Sequence, residues 1–109
     1  MTGKDLDTFD DQTFDQEVVS AEGLVLVDFW GENCASCRQL HRVLTQLAAE
    51  VPPEVRIGTV NATAHPDIAE RYGIRSVPAL LFFKQGEIVE MRTGVDRRQV
   101  LKKLVEAHA

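Results

Sequence analysis

No run of residues in this 109-residue chain approaches the roughly 20 apolar positions that a membrane-spanning helix needs, so no membrane association is expected. No apolar leader is expected. Met1-Thr2-Gly3-Lys4-Asp5-Leu6-Asp7 is polar and acidic, without the hydrophobic core of a secretory signal, which predicts a cytoplasmic location. Basic charge is in short supply: 12 Lys and Arg stand against 17 Asp and Glu, for a net charge of -5. That leaves no basic stripe for phosphate contacts and argues against a nucleic-acid partner. Repeats, linkers and low-complexity segments are missing too, so one domain over residues 1-109 is expected, and nothing in the pattern signals an oligomer, which predicts a monomer.

Cysteine is scarce as well, with only Cys34 and Cys37 present. In a reducing compartment a bridge closing so short a loop does little to constrain the unfolded chain, so reactivity or metal binding is the better account of the pair than a structural staple. Their setting supports this. Before them, Leu24-Val25-Leu26-Val27-Asp28-Phe29-Trp30 reads as a strand apolar on both faces, as in the centre of a sheet covered on both sides. After them, Leu40, Val43, Leu44, Leu47, Ala48 and Val51 recur at helical spacing from about 35 to 50, and Pro52-Pro53 ends the run. The two thiols therefore fall on a strand-to-helix junction.

The remaining pattern is read in the same way. Leu6 and Phe9 belong to a short strand or ordered arm, and Asp10 or Asp11 is expected to cap a helix reaching about residue 20 that buries Phe14, Val18 and Val19. Val55 to Asn61 reads as a strand weakened by Gly58. A short helix over 66-72 opens at Pro66 and closes at Gly73. Ala79-Phe83 and Ile88-Arg92 flank Lys84-Gln85-Gly86-Glu87 as an antiparallel hairpin. A closing helix over about 97-107 has Asp96 as N-cap, Gln99 three residues on, and Val100, Leu101, Leu104 and Val105 as its buried face. The acidic residues at 5, 7, 10, 11 and 15 read as a solvated face with local capping roles. Together these elements make a mixed sheet between helices, an α/β fold.

Val25-Leu26-Val27-Asp28-Phe29-Trp30, Cys34-x-x-Cys37, Tyr72-Gly73-Ile74-Arg75-Ser76-Val77-Pro78-Ala79, Gly86-Glu87 and Gly94 together resemble a thioredoxin, in register from about Phe9 to Leu104. The resemblance implies the thioredoxin fold, a central mixed sheet of about five strands flanked by about four helices, and thiol-disulfide exchange as the ancestral activity. It implies Cys34 as the attacking thiolate and Cys37 as the resolving thiol, with the Cys34-Cys37 disulfide itself as the redox centre and no bound cofactor. Asp28, a lone carboxylate among Leu26, Val27, Phe29 and Trp30, would be costly to bury ionised. The resemblance places it beneath Cys37 as the group that moves that thiol's proton; the plainer alternative is an aspartate at a sheet edge bonded to backbone. Base rates favour a trans Val77-Pro78 bond, whereas the family match predicts cis. Trp30, Asn33, Val77, Pro78, Gly94 and Val95 are the expected substrate-binding surface. Disulfide-containing proteins and a thioredoxin-reductase-like electron donor are the implied partners.

Four departures fall on or under that surface. The usual Trp-Cys-Gly-Pro-Cys reads Asn33-Cys34-Ala35-Ser36-Cys37, so the flanking tryptophan is gone and Ser36 offers a hydroxyl to a thiolate. Dithiols of this type range from about -270 to about -120 mV, and a value unlike that of ordinary thioredoxin is expected. Thr59 stands where the family has a lysine, which leaves Asp28 without a cation and more often protonated. Arg42 replaces a helix-kinking proline, predicting a straighter helix. Two other readings fit the same residues: a docking module with little turnover, and a metal or iron-sulfur site using Cys34, Cys37 and His41, which lies four residues after Cys37.

Overall fold

The computed structural model describes residues 6-109. Five strands, β1 (Asp7–Thr8), β2 (Leu24–Trp30), β3 (Arg56–Asn61), β4 (Ala79–Lys84) and β5 (Glu87–Thr93), form one sheet in the order β1-β3-β2-β4-β5. The β1-β3 and β3-β2 pairs are parallel; β4 runs antiparallel to β2, and β5 antiparallel to β4. Helices α1 (Ala35–Ala48), α2 (Pro66–Arg71) and α3 (Arg98–His108), with a π-helical segment over Asp15–Val19, complete the fold. The expected mixed five-stranded sheet is present, with β2 at its centre.

Alternation along β2 builds two cores. Val25, Val27 and Phe29 pack with Phe14, Val18, Ile68 and Phe83 under the π-helical segment and α2. Leu24 and Leu26 face the other way, against Leu40, Leu44 and Leu47 of α1 and Leu101 and Val105 of α3. Asp28 has the parity of this second face, under α1. A strand buried on both sides is consequently apolar throughout except at that one position.

The structure corrects several boundaries. Asp10 does cap, since its Oδ1 accepts from the backbone N–H groups of Gln12 and Thr13. The cap closes a turn over 10-13, however, and the helical backbone that follows widens so that Ser20 N–H donates to the Asp15 carbonyl. At the other end Asp96 is not the N-cap of α3, a position taken by Arg97. Its carboxylate instead receives both Nε and Nη2 of Arg92, at 2.9 and 3.2 Å, a charge-assisted pair that competes well with a backbone cap. The stripe of α3 is set by Leu101 and Val105, so Val100, about 100° round the helix, is 39% exposed rather than buried. Leu104 is half-buried. The β4-β5 turn is shorter than expected, two residues, with Gln85 at φ 53° and Gly86 at φ 81° as a type I′ turn requires.

The acidic N-terminal face is ion-paired rather than merely solvated. Asp7 and Glu17 hold Arg56, Asp11 lies 3.2 Å from His65, and Asp15 pairs with Arg71. Asp5 lies outside the described residues, as does most of the expected arm before Leu6.

Gly58 has a tertiary reason that spacing alone hides. A Cβ at this position would overlap the Phe9 ring, which is itself buried, and would touch Asp7 Cβ at 3.0 Å. The glycine therefore lets β1 and Phe9 close over β3. Gly58→Ala is expected to destabilise the protein by about 1–3 kcal/mol through overpacking, lowering the melting temperature by several degrees. Calorimetry checks it, with Phe9→Leu in the Gly58→Ala background expected to recover part of the loss; additive losses would show that the clash is not the cause.

Candidate active site

The last residue of β2 and the first turn of α1 create the site. Asn33 takes a left-handed conformation, φ 57°, which turns the chain from the strand toward the helix. Cys34 is then extended and serves as the N-cap of α1: its sulfur accepts from the Cys37 N–H at 3.1 Å. Cys34 and Cys37 are joined as a disulfide with Cα atoms 5.2 Å apart. Their environments differ. Cys34 is half-buried, whereas Cys37 is 4% exposed, one turn into the helix.

A thiolate at Cys34 would sit at the positive end of a 14-residue helix, against an N–H that has no intrahelical partner. Ser36 Oγ lies 3.5 Å from the Cys34 sulfur, close enough to bond it. Both features favour the ionised sulfur and lower the cost of making it a nucleophile or a leaving group.

Asp28 is 0% exposed, and among the described residues neither carboxyl oxygen has a hydrogen-bond partner. It lies in the central strand, paired across to Thr59 of β3 and Leu80 of β4, so the alternative of a backbone-bonded aspartate at a sheet edge is wrong. Burial alone pushes its pKa up from 3.8 to about 7, because nothing nearby offsets the loss of water around the charge. Near neutrality the group is thus poised between its two forms.

Asp28 forms part of the wall of an open cleft of about 400 Å³, which Trp30, Gly31, Glu32, Asn33, Cys34, Cys37, Arg38, His41 and Thr59 also line. Of the residues expected to bind substrate, Trp30 and Asn33 are in this cleft. Val77 lines a neighbouring cleft of about 320 Å³ on the α2 side, and its Cγ2 lies 3.1 Å from where a Gly31 Cβ would be, so the two clefts approach each other at Gly31. The Val77-Pro78 bond is cis and Pro78 is buried, its carbonyl accepting from Gly94 N–H at 3.1 Å. Gly94 is exposed, and Val95 is half-buried against the leucine core rather than in the cleft. Gly31, Glu32 and Arg38 also line the cleft, although they are not among the expected substrate-binding residues. For Arg38 a signal existed, since it is four residues after Cys34 and so on the same side of α1.

His41 is exposed on the cleft. Among the described residues no three of His, Cys, Asp and Glu are grouped so as to hold a metal ion, so the ligand set of Cys34, Cys37 and His41 does not assemble. No helix among the described residues is long and apolar enough to cross a membrane. Arg42 sits within α1, which runs unbroken through it.

Comparison with known proteins agrees with this geometry over nearly the whole chain. The thioredoxin family model matches residues 5–107. Thioredoxin 1 of Nostoc sp. is 38% identical over 98 residues, spanning 90% of this chain and 92% of its own length. Thioredoxin C-2 of Corynebacterium nephridii is 41% identical over 96 residues, spanning 88% and 89%. Among solved structures, a point mutant of a thioredoxin from Halobacterium salinarum superposes with a TM-score of 0.86 at 29% identity, covering 99% of this chain and 94% of that one. With its paired cysteines at the head of α1 and this likeness along its length, the chain belongs to the thioredoxin family and is a thiol-disulfide oxidoreductase of the protein-disulfide-reductase type.

Proposed function

We propose that this single-domain protein reduces disulfides in other proteins by dithiol exchange, with Cys34 attacking, Cys37 resolving and Asp28 carrying the proton. The observation that supports this division of labour is the contrast within one cleft: a half-buried sulfur at the helix N-terminus, a shielded sulfur one turn on, and a buried, unpartnered acid beneath. Cys34 thiolate attacks one substrate sulfur and expels the other as a thiolate. Asp28 carboxylate takes the Cys37 proton, and the freed Cys37 thiolate attacks the Cys34 sulfur, releasing the second substrate thiolate and closing the Cys34-Cys37 bond.

Trp30 and Asn33 at the cleft, with Val77, Pro78, Gly94 and Val95 beside it, are the surface we assign to the substrate chain. The partners are disulfide-containing proteins and a thioredoxin-reductase-like donor that returns two electrons to the disulfide. The protein works as a cytoplasmic monomer without a bound cofactor, on neither nucleic acid nor membrane.

Reduced protein mixed with insulin is expected to cleave the insulin disulfides and to recover a Cys34-Cys37 bond. NADPH with a thioredoxin reductase is expected to make the reaction catalytic. Protein that leaves insulin intact and stays reduced would overturn the assignment, and an equilibrium redox titration of the same sample fixes the direction in which it operates.

A further inference from the structure

Asp28 must be ionised before it can take the Cys37 proton, so a proton that it already holds has to leave a side chain with no exposed surface, on a strand covered on both faces. The cleft is the route that the fold leaves open. Its α1 wall carries Cys37, Arg38 and His41, and its β3 wall contributes the uncharged Thr59. Of the cleft's charged side chains, Glu32 comes from the loop before α1 and Arg38 from α1 itself. Arginine does not give up its proton, while imidazole both accepts and donates one near neutrality.

His41 is placed for that task. It follows Cys37 by one helical turn, so its ring lies on the Cys37 side of α1 and is also exposed to water. The other two histidines are occupied: His65 lies against Asp11 and His108 against Glu90. Among the described residues His41 has no such ion pair. We infer that His41 is a proton-relay residue, passing the Asp28 proton between the cleft and bulk water.

The inference rests on the reading of Asp28 as the acid-base partner of Cys37. In the resolving step the Cys37 S–H proton goes to Asp28 as the Cys37 sulfur bonds the Cys34 sulfur and the substrate thiolate departs. Asp28 can take that proton only once ionised, so the relay comes first: the proton Asp28 holds leaves through water in the cleft to the His41 imidazole, since no hydrogen bond joins the two directly, and the imidazolium yields it to bulk water. No electrons move in the relay, and no further reactant is needed.

The test uses the reduced full-length protein and a small disulfide whose two halves are coloured thiolates, so that first release reports Cys34 attack and second release reports resolution. The sole tryptophan, Trp30, lies in the cleft and provides an independent optical signal of disulfide closure. His41→Ala, in dilute buffer at pH 6–8, is expected to slow the second release on the order of tenfold, below the 10²–10⁴ of direct acid-base catalysis. Added imidazole, which the cleft is large enough to admit, is expected to restore the rate in proportion to its concentration. It should leave the wild type unchanged and rescue His41→Gln less, because the amide keeps part of the space filled. An undiminished second release in His41→Ala, or a slow one that imidazole does not raise, overturns the relay. Asp28→Asn separates the two levels. If it slows resolution while His41→Ala does not, only the relay fails; if Asp28→Asn is itself as fast as wild type, the acid-base reading of Asp28 fails with it.

Discussion

Between about pH 4 and about pH 7 the oxidised protein is expected to lose stability as the solution becomes more alkaline, and Asp28→Asn is expected to abolish that loss. An unfolded aspartate ionises near 3.8, whereas the folded state holds the Asp28 proton up to about 7. Within that window the folded chain binds one more proton than the unfolded chain, so the free energy of unfolding falls as pH rises. The separation corresponds to roughly 4 kcal/mol, fully lost above about pH 7. Asp10 acts with the opposite sign, its carboxyl held low by the Gln12 and Thr13 N–H groups, but its contribution disappears only as pH falls below the ordinary aspartate value and so lies outside the window.

Asparagine keeps the size of the side chain and is neutral at every pH. At pH 8 Asp28→Asn should therefore unfold at a urea concentration roughly 1–3 M higher than the wild type, with an unchanged slope, and the two should converge toward pH 4. Parallel pH profiles for the two proteins would mean that Asp28 is ionised in the folded state and the argument from burial is wrong. In the proposed role of Asp28 the same substitution is expected to slow the resolving step, which would make the lost stability at neutral pH the cost of proton transfer.

What the sequence revealed and what it concealed differ in range. The β2 run and the α1 stripe are local patterns, visible because each element's own period reports which faces are covered. Asp28 was legible for the same reason: a carboxylate in a strand buried on both sides has no inexpensive structural explanation. The hidden features all depend on distant partners. Gly58 read as a weakness because the Phe9 ring that needs its space is 49 residues away, and Asp96 read as a cap because Arg92 on β5 claims it instead. The cis Val77-Pro78 bond came from family likeness, against the base rate for such bonds. Likewise the cleft's breadth, with Thr59, Arg38 and Glu32 in one wall system, follows from packing α1 over β2 and β3, which no single stretch specifies.

Exchanging the cysteines one at a time is expected to give the largest effect on activity and the sharpest assignment of roles. Cys34→Ser should reduce disulfide reduction to the uncatalysed level, because a hydroxyl is barely ionised where the helix terminus stabilises a thiolate, and no sulfur remains to form the mixed disulfide. The fold should survive. Losing a bridge between residues three apart removes roughly 2 kcal/mol of loop-closure entropy, and neither core cluster depends on it. Cys37→Ser should behave differently: Cys34 still attacks, one thiolate is released per chain, and the substrate stays attached as a mixed disulfide that mass spectrometry places on Cys34. The contrast follows from exposure, since Cys37 at 4% is shielded from a protein substrate but adjacent to the Cys34 sulfur. If Cys37→Ser forms no adduct while Cys34→Ser does, the two roles are reversed and the helix N-terminus is not what selects the nucleophile.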